Sequence, residues 1–258
     1  MYFDTHAHYD HARFDLDRRE LLASLPHNGI SLVLNPGYDM PSSRTAVGLA
    51  EDYPYIYASV GFHPHDSKNM QDGDLARLET LTRHPKVVAV GEIGLDYHYD
   101  FSPRGVQKQR FEEQMRLARS VGLPVIVHQR EAAADTMEVL RAYRDVSGVV
   151  HCYSGSLEMA KELFDMGWYV SFTGVVTYKN ARKSHEVLCA MPRDRLLLET
   201  DAPYMAPEPF RGKRCSSLYL PQIAEAVAAL WGIDAEEVAA ITTENGKRCF
   251  GIKSCLTT

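Results

Sequence analysis

Short apolar, β-branched runs alternate along the chain with longer stretches in which apolar residues return at helical spacing. The runs are YFDTH at 2–6, SLVLNPG at 31–37, YIYASVG at 55–61, KVVAVGEIG at 86–94, PVIVH at 124–128, GVVHC at 148–152, WYVSF at 168–172 and RLLLETD at 195–201. Their length, and the turn-forming residues that bound them, predict strands buried on both faces of a parallel sheet. The clearest helix is predicted over 106–120, where Phe111, Met115, Leu117 and Ala118 mark one face; Ser102-Pro103 starts it, and Gly122 and Pro124 stop it. Ser156 as N-cap and Gly167 as C′ residue bracket another over 156–167. Two more follow the last run, over 220–232 and 234–251, the second with Asp234 and Glu237 at capping-box spacing.

Eight such strands alternating with helices predict an α/β fold, a closed (β/α)8 TIM barrel. The rival, an open doubly wound sheet, would more often carry five to seven strands and one switch-point crevice. No Pro/Gly/Ser-rich linker or shift in composition divides residues 1–258, so one domain is expected. The sizeable irregular stretches are DFSPRG at 100–105 and APEPFRGKRCSSL at 206–218.

Composition narrows the setting. With 45% hydrophobic and 24% charged residues the chain is ordinary for a globular protein, and no apolar run is long enough for a bilayer. No basic segment leads into an apolar stretch at the start, so no secretory leader is expected. Five cysteines, an odd number without a C-x-x-C pair, suit reduced thiols in a cytosolic protein; Cys249 and Cys255 read as structural or tail residues. The net charge of −6 argues against a protein that coats duplex DNA, but not against an enzyme that grips a few phosphates. Bound cations would invert the field of a carboxylate-rich site.

The polar residues that interrupt this pattern fall at the ends of the apolar runs. His6 and His8 end the first, His63 and His65 the third, Glu92 and Asp96 the fourth and His128 the fifth; His151 lies in the sixth, and Glu199 and Asp201 end the eighth. In a (β/α)8 barrel these C-terminal ends converge, and the period of two puts His6 and His8 on one face. A lone histidine after a strand is ordinarily a hydrogen-bonded rim residue, and His65 or His84 alone reads that way. Four histidines and two carboxylates at converging ends are costly to bury unless a cation compensates them. Imidazoles and carboxylates without thiolates suit Zn²⁺, Mn²⁺, Fe²⁺ or Mg²⁺. Six candidate ligands are too many for one catalytic ion and suit two, bridged by a carboxylate, for which Glu92 is the best placed.

As a set, in order and spacing, DTHAH, GFHPH, GEIGLDY, PVIVHQR, HCYSG and ETDAPY with RGKR resemble the TatD family of metal-dependent deoxyribonucleases, in the amidohydrolase superfamily, from about residue 2 to 251. The resemblance implies a TIM-barrel metallohydrolase that cleaves DNA phosphodiester bonds, in the 3′–5′ direction on single-stranded DNA. It also implies that His6 and His8, with Glu92 and Asp201, hold one divalent ion, and that Glu92, His128 and His151 hold a second. Asp201 would also orient or deprotonate the attacking water, with His63 near the scissile phosphate or leaving group. Glu199 has two open roles: partner to a nearby His or Arg, or ligand of a third ion.

Two basic loops follow late strands, where barrels often bind phosphate. Arg211 and Arg214, directly after the catalytic aspartate, are the expected substrate contacts, whereas Arg182 and Lys183 fit a solvated helix start equally well. Family members usually continue RGKR with Asn-Glu-Pro; here Cys215-Ser216-Ser217 stand instead, which puts substrate orientation in doubt. His98 stands where a second Tyr is common, and Tyr97 or His98 could stack on a base. The partner is thus expected to be the end of a DNA strand, with no membrane and no obligate protein partner. Two rivals keep the same site: a metal-dependent ester or amide hydrolase acting on a small molecule or an aminoacyl group, and a metal-stabilised binding protein without catalysis.

Overall fold

In the computed structural model of the protein, which describes residues 1–253, all eight runs are strands. They are β1 (Tyr2–Asp4), β2 (Ile30–Pro36), β3 (Ile56–Val60), β4 (Val87–Asp96), β5 (Val125–Arg130), β6 (Gly148–Val150), β7 (Tyr169–Phe172) and β8 (Leu196–Leu198). The helices are α1 (Arg18–Ser24), α2 (Met40–Asp52), α3 (Asp74–Leu81), α4 (Arg104–Val121), α5 (Ala133–Ala142), α6 (Leu157–Asp165), α7 (Arg182–Ala190), α8 (Leu220–Trp231) and α9 (Ala235–Phe250). Strand order follows chain order and every pairing is parallel, the topology of a (β/α)8 barrel. Among the described residues no helix is long and apolar enough to cross a membrane.

The seam between β8 and β1 positions the site. Regular pairing of β1 stops at Asp4, two residues short of the run read from the sequence. Beyond it the chain bonds to both neighbours in turn: Thr5 N–H to Leu198 C=O at 3.1 Å, Ala7 N–H to Leu34 C=O at 3.0 Å and His8 N–H to Ala202 C=O at 2.7 Å. Asp201 N–H returns to His6 C=O at 2.9 Å. The first and last strands are thereby joined at their C-terminal ends, and His6 and His8 are brought beside Asp201.

The barrel interior is filled from the strands by Phe3, Leu34, Ile126, Val149, Tyr169 and Leu197, packed with Phe250 and Ile252 from the end of α9. Asn245 on α9 donates to the carbonyls of Arg193 and Leu196 where the chain enters β8, and Thr243 donates to Met1 C=O. α9 therefore closes the end where strands begin and leaves the opposite end for chemistry.

The local signals of α6 act as read: the Ser156 hydroxyl accepts from Met159 N–H, and Gly167 follows the helix at φ 82°. The capping box expected at α9 does not form. Asp234 occupies the N-cap position, but its side chain makes no cap bond, and the Glu237 carboxylate lies 3.8 Å from the Arg193 guanidinium instead. Cys152, Cys189, Cys215 and Cys249 are free thiols, as expected; Cys255 lies outside the described residues.

Gly94, at φ 132°, is paired with His128 across β4 and β5, and a Cβ there would lie 2.1 Å from His128 C=O. Gly94→Ala is therefore expected to cost about 3 kcal/mol through backbone strain and overpacking. Urea denaturation should show the loss as a lowered midpoint.

Candidate metal centre

β4 is buried along its whole length and carries Glu92 into the mouth of the barrel. The Glu92 carboxylate has two differently occupied faces. Oε2 lies 3.3 Å from His6 Nε2 and 3.7 Å from His8 Nε2, and Asp201 Oδ1 adds a carboxylate 3.6 Å from His8 Nε2. Oε1 lies 2.7 Å from His151 Nε2, 3.0 Å from His128 Nδ1 and 3.3 Å from His63 Nε2. The His6 and His151 rings stack with centroids 4.0 Å apart, which brings the two groups together.

Three further carboxylates hold this arrangement from behind. Asp96, fully buried, sits 3.0 Å from both His128 Nε2 and His65 Nε2 and accepts the backbone N–H groups of His98 and Tyr99. A hydrogen bond donated from His128 Nε2 to Asp96 would leave the Nδ1 lone pair for a cation at the centre. Glu199 accepts from Cys152 N–H at 2.7 Å and Ser171 hydroxyl at 2.6 Å, and lies 3.4 Å from His151 Nδ1. Asp4 accepts from Thr200 N–H and hydroxyl and from Ser217 hydroxyl, tying β1 to the chain after β8 beneath His6. Asp96→Asn turns one of the two acceptor oxygens into an NH₂; with the other kept by the His98 and Tyr99 N–H groups, His128 Nε2 meets a donor. The substitution is expected to weaken metal binding roughly 10- to 100-fold while the barrel persists, as metal titration and thermal melting would report.

Electrostatics at the centre are those of groups awaiting a cation. Burial disfavours the Glu92 charge, yet the surrounding imidazoles, His151 first, hold its carboxyl well below the ordinary value. Burial works against charge on His151, while Glu92 and Glu199 raise its pKa well above the ordinary value. Asp201 is pushed up to about 6 by burial against the pull of His6 and His151. Burial drives His63 down to about 4, leaving a neutral ring at pH 7. The Nδ1 atoms of His6 and His8 are buried without a hydrogen-bond partner. Nitrogen and oxygen donors with no thiolate, crowded at hydrogen-bond distances around one carboxylate, fit borderline or hard divalent ions. His6–His8–Glu92, His63–Glu92–His128 and His6–His151–Glu199 each offer ligand atoms within 4.8 Å of one another.

The fold thus assembles His6, His8, His63, Glu92, His128, His151 and Asp201 in one place, with Glu199 directly beneath them. It does not bring the expected arginines there. Arg214 is committed to Asp17, just before α1, by bonds of 2.7 and 2.5 Å and also donates to Arg13 C=O; it holds the late loop down instead of facing the cavity. Arg211 lies over the Tyr178 ring at 4.5 Å, away from the cavity wall. Arg182 and Lys183 are the exposed first residues of α7. Ser216 and Ser217 are buried, and Ser217 bonds to Asp4 and Tyr9, so the departure from Asn-Glu-Pro bears on the support of β1 and not on a substrate surface. The Tyr97 hydroxyl donates to Asp135 with Arg104 over the ring, and His98 pairs with Glu131 at 2.7 Å; neither side chain lines the cavity. Sequence reasoning missed the supporting roles of Asp4 and Asp96, and also Arg130, whose guanidinium faces the cavity over Tyr99 at 4.8 Å.

Above the cluster opens a cavity of about 820 Å³ whose wall includes His8, His63, Glu92, His128, His151 and Asp201. A histidine–carboxylate cluster at the floor of such a cavity, at the C-terminal mouth of a (β/α)8 barrel, defines a metal-dependent hydrolase. The family model described as "TatD related DNase" matches residues 3–251, and the chain belongs to that family. It is 44% identical over 254 residues to the uncharacterized metal-dependent hydrolase YabD of Bacillus subtilis (strain 168), covering 98% of this chain and 100% of that one. It is 36% identical over 256 residues to the 3′-5′ ssDNA/RNA exonuclease TatD of Cronobacter sakazakii, covering 96% and 97%. The crystal structure of YJJV, a TatD homolog from Escherichia coli K12, superposes with a TM-score of 0.91 at 31% identity, covering 98% of each chain.

Proposed function

We propose that the protein is a nuclease that hydrolyses phosphodiester bonds of single-stranded DNA from the 3′ end, using two divalent ions of the Mg²⁺, Mn²⁺, Zn²⁺ or Fe²⁺ type. The observation that carries the hydrolytic reading is the two-faced Glu92 carboxylate, with His6 and His8 on one oxygen and His128 and His151 on the other. The choice of nucleic acid leans on relatives such as the Cronobacter exonuclease. His6, His8, Glu92 and Asp201 would hold one ion, and Glu92, His128 and His151 the other. Glu199 keeps His151 oriented, and its place in the His6–His151–Glu199 group would also let it touch a third. When bound, the ions supply a nucleophile at neutral pH and neutralise the charge that builds on the phosphate.

The protein's own groups do the rest. Asp201, at the mouth beside His8, takes the proton of the attacking water. His63 Nδ1 accepts the N–H of His65 at 3.1 Å, so the neutral ring carries its proton on Nε2. That N–H points into the centre, where it can donate to a phosphoryl or leaving oxygen. Asp96 and Glu199 hold the rings of His128 and His151, and Asp4 holds the backbone that carries His6, so that little reorganisation remains for the reaction.

End-labelled single-stranded DNA, duplex DNA and RNA, incubated with Mg²⁺, Mn²⁺ or Zn²⁺, test the reading. Stepwise shortening of single-stranded DNA from the 3′ end, abolished by EDTA, is expected. Cleavage that survives EDTA would sink the metal mechanism. Intact nucleic acid under every metal, with turnover of esters or amides, would transfer the site to the rival hydrolase.

A further inference from the structure

Large apolar side chains exposed on the described surface are few: Met1, Leu16, Tyr99, Phe101, Tyr204 and Met205. Four of them, Tyr99, Phe101, Tyr204 and Met205, border the catalytic cavity. Exposed apolar surface concentrated at a polar cavity marks a binding surface. Tyr204 is engaged by His11 at 3.2 Å, but Tyr99 and Phe101 form a pair of their own. Their rings stack at 24° with centroids 5.3 Å apart, and they remain 48% and 56% exposed.

The pair is joined to the centre by ring contacts. The His65 ring meets Tyr99 edge-on at 5.4 Å and Phe101 at 4.9 Å, and then meets His63 at 4.3 Å, whose Nε2 is 3.3 Å from Glu92. Arg130 lies over Tyr99, and no carboxylate among the described residues pairs with it, which leaves its donors for a phosphate. The loop itself is braced. The buried Ser102 hydroxyl donates to His65 C=O, Lys68 donates to Phe101 C=O, and Gln107 holds the carbonyls of Asp96 and Ser102. The aromatic faces are therefore held in place at the cavity edge.

We propose that the Tyr99–Phe101 pair is a seat for the nucleobase of a nucleotide flanking the bond to be cut, with Arg130 beside it for the adjoining phosphate. This rests on the nuclease reading above and deepens it. A flat aromatic platform recognises any base by its π-face, so it favours a strand whose bases are unpaired and penalises one that must first be opened. Single-strand preference would then come from this wall and not from base-edge hydrogen bonds.

The test compares 3′-labelled single strands that differ only in bearing a base or an abasic residue next to the terminal phosphodiester. The wild-type protein should favour the base-bearing strand in kcat/KM by roughly 10- to 100-fold, the range expected for one stacked base. Phe101→Ala should pull this ratio toward one and narrow the gap between single-stranded and duplex DNA; Phe101→Trp should keep both. Phe101 is more than half exposed, so these variants should fold, which thermal melting verifies. An unchanged ratio in Phe101→Ala, with wild-type cleavage intact, removes the platform alone. Wild-type protein that cuts neither strand removes the nuclease reading and the platform with it.

Discussion

Glu92→Gln is expected to abolish two-ion binding and to lower turnover by roughly three orders of magnitude while the barrel stays folded. Glutamine has nearly the volume of glutamate, and the site is buried among side chains it would not disturb. What changes is the symmetry of the group. A carboxylate presents an acceptor to each side, and here Oε2 faces His6 and His8 while Oε1 faces His63, His128 and His151. A carboxamide has one acceptor and one NH₂, so whichever way it turns, one side presents N–H to the place a cation would occupy. The negative charge shared by both sides is also gone, in a site where burial already disfavours bringing ions in. Metal content by mass spectrometry, measured with kcat and the melting temperature, decides the matter. A variant that keeps two ions and near-normal kcat would deny Glu92 the bridging role.

The place of Glu92 in the site was legible in the sequence for a physical reason. An acidic residue inside GEIG, within an otherwise apolar run, has no polar neighbour in that run to satisfy it, so its presence there announces a counter-charge. The eight strands were legible because burial on both faces leaves continuous apolar runs, and the histidines because they break those runs at one end. The helices between β2 and β4 were less visible. α2 contains Pro41, Gly48 and a Ser-Ser pair, and its start is fixed by Asp39 and Ser42, which form a capping box that the apolar pattern does not announce.

The supporting carboxylates were hidden for another reason. Asp4 takes its meaning from Thr200 and Ser217, which stand 196 and 213 residues away and meet it only because the barrel closes. Arg214 follows Asp201 closely enough to suggest a phosphate ligand, but its partner Asp17 lies just before α1, a short helix with little periodicity to betray it. In the loop after β4 the family pattern points to Tyr97 and His98, whereas Asp135, Arg104 and Glu131 engage those side chains and Tyr99 and Phe101 line the cavity. Competition among polar partners is settled in three dimensions, and spacing along the chain carries little of it.

Asp201→Asn should separate proton transfer from metal holding. Asp201 sits at φ 52°, a left-handed conformation that asparagine tolerates better than alanine, so the amide is the substitution that spares the backbone. Its N–H bond to His6 C=O, which helps close the seam, is a main-chain bond and survives the change. The carboxylate is the part that is lost. A carboxylate at this position can accept a proton from water, and an amide cannot. A fall in kcat of roughly 10²- to 10⁴-fold is expected. The Glu92–His128–His151 group does not include the altered side chain, so that ion should be retained. The decisive measurement is kcat across a metal titration to saturation. If excess Mg²⁺ or Mn²⁺ restores the variant to within a few-fold of the parent, Asp201 serves as a ligand alone. If saturation leaves the deficit in place while metal content returns, the residue carries the proton.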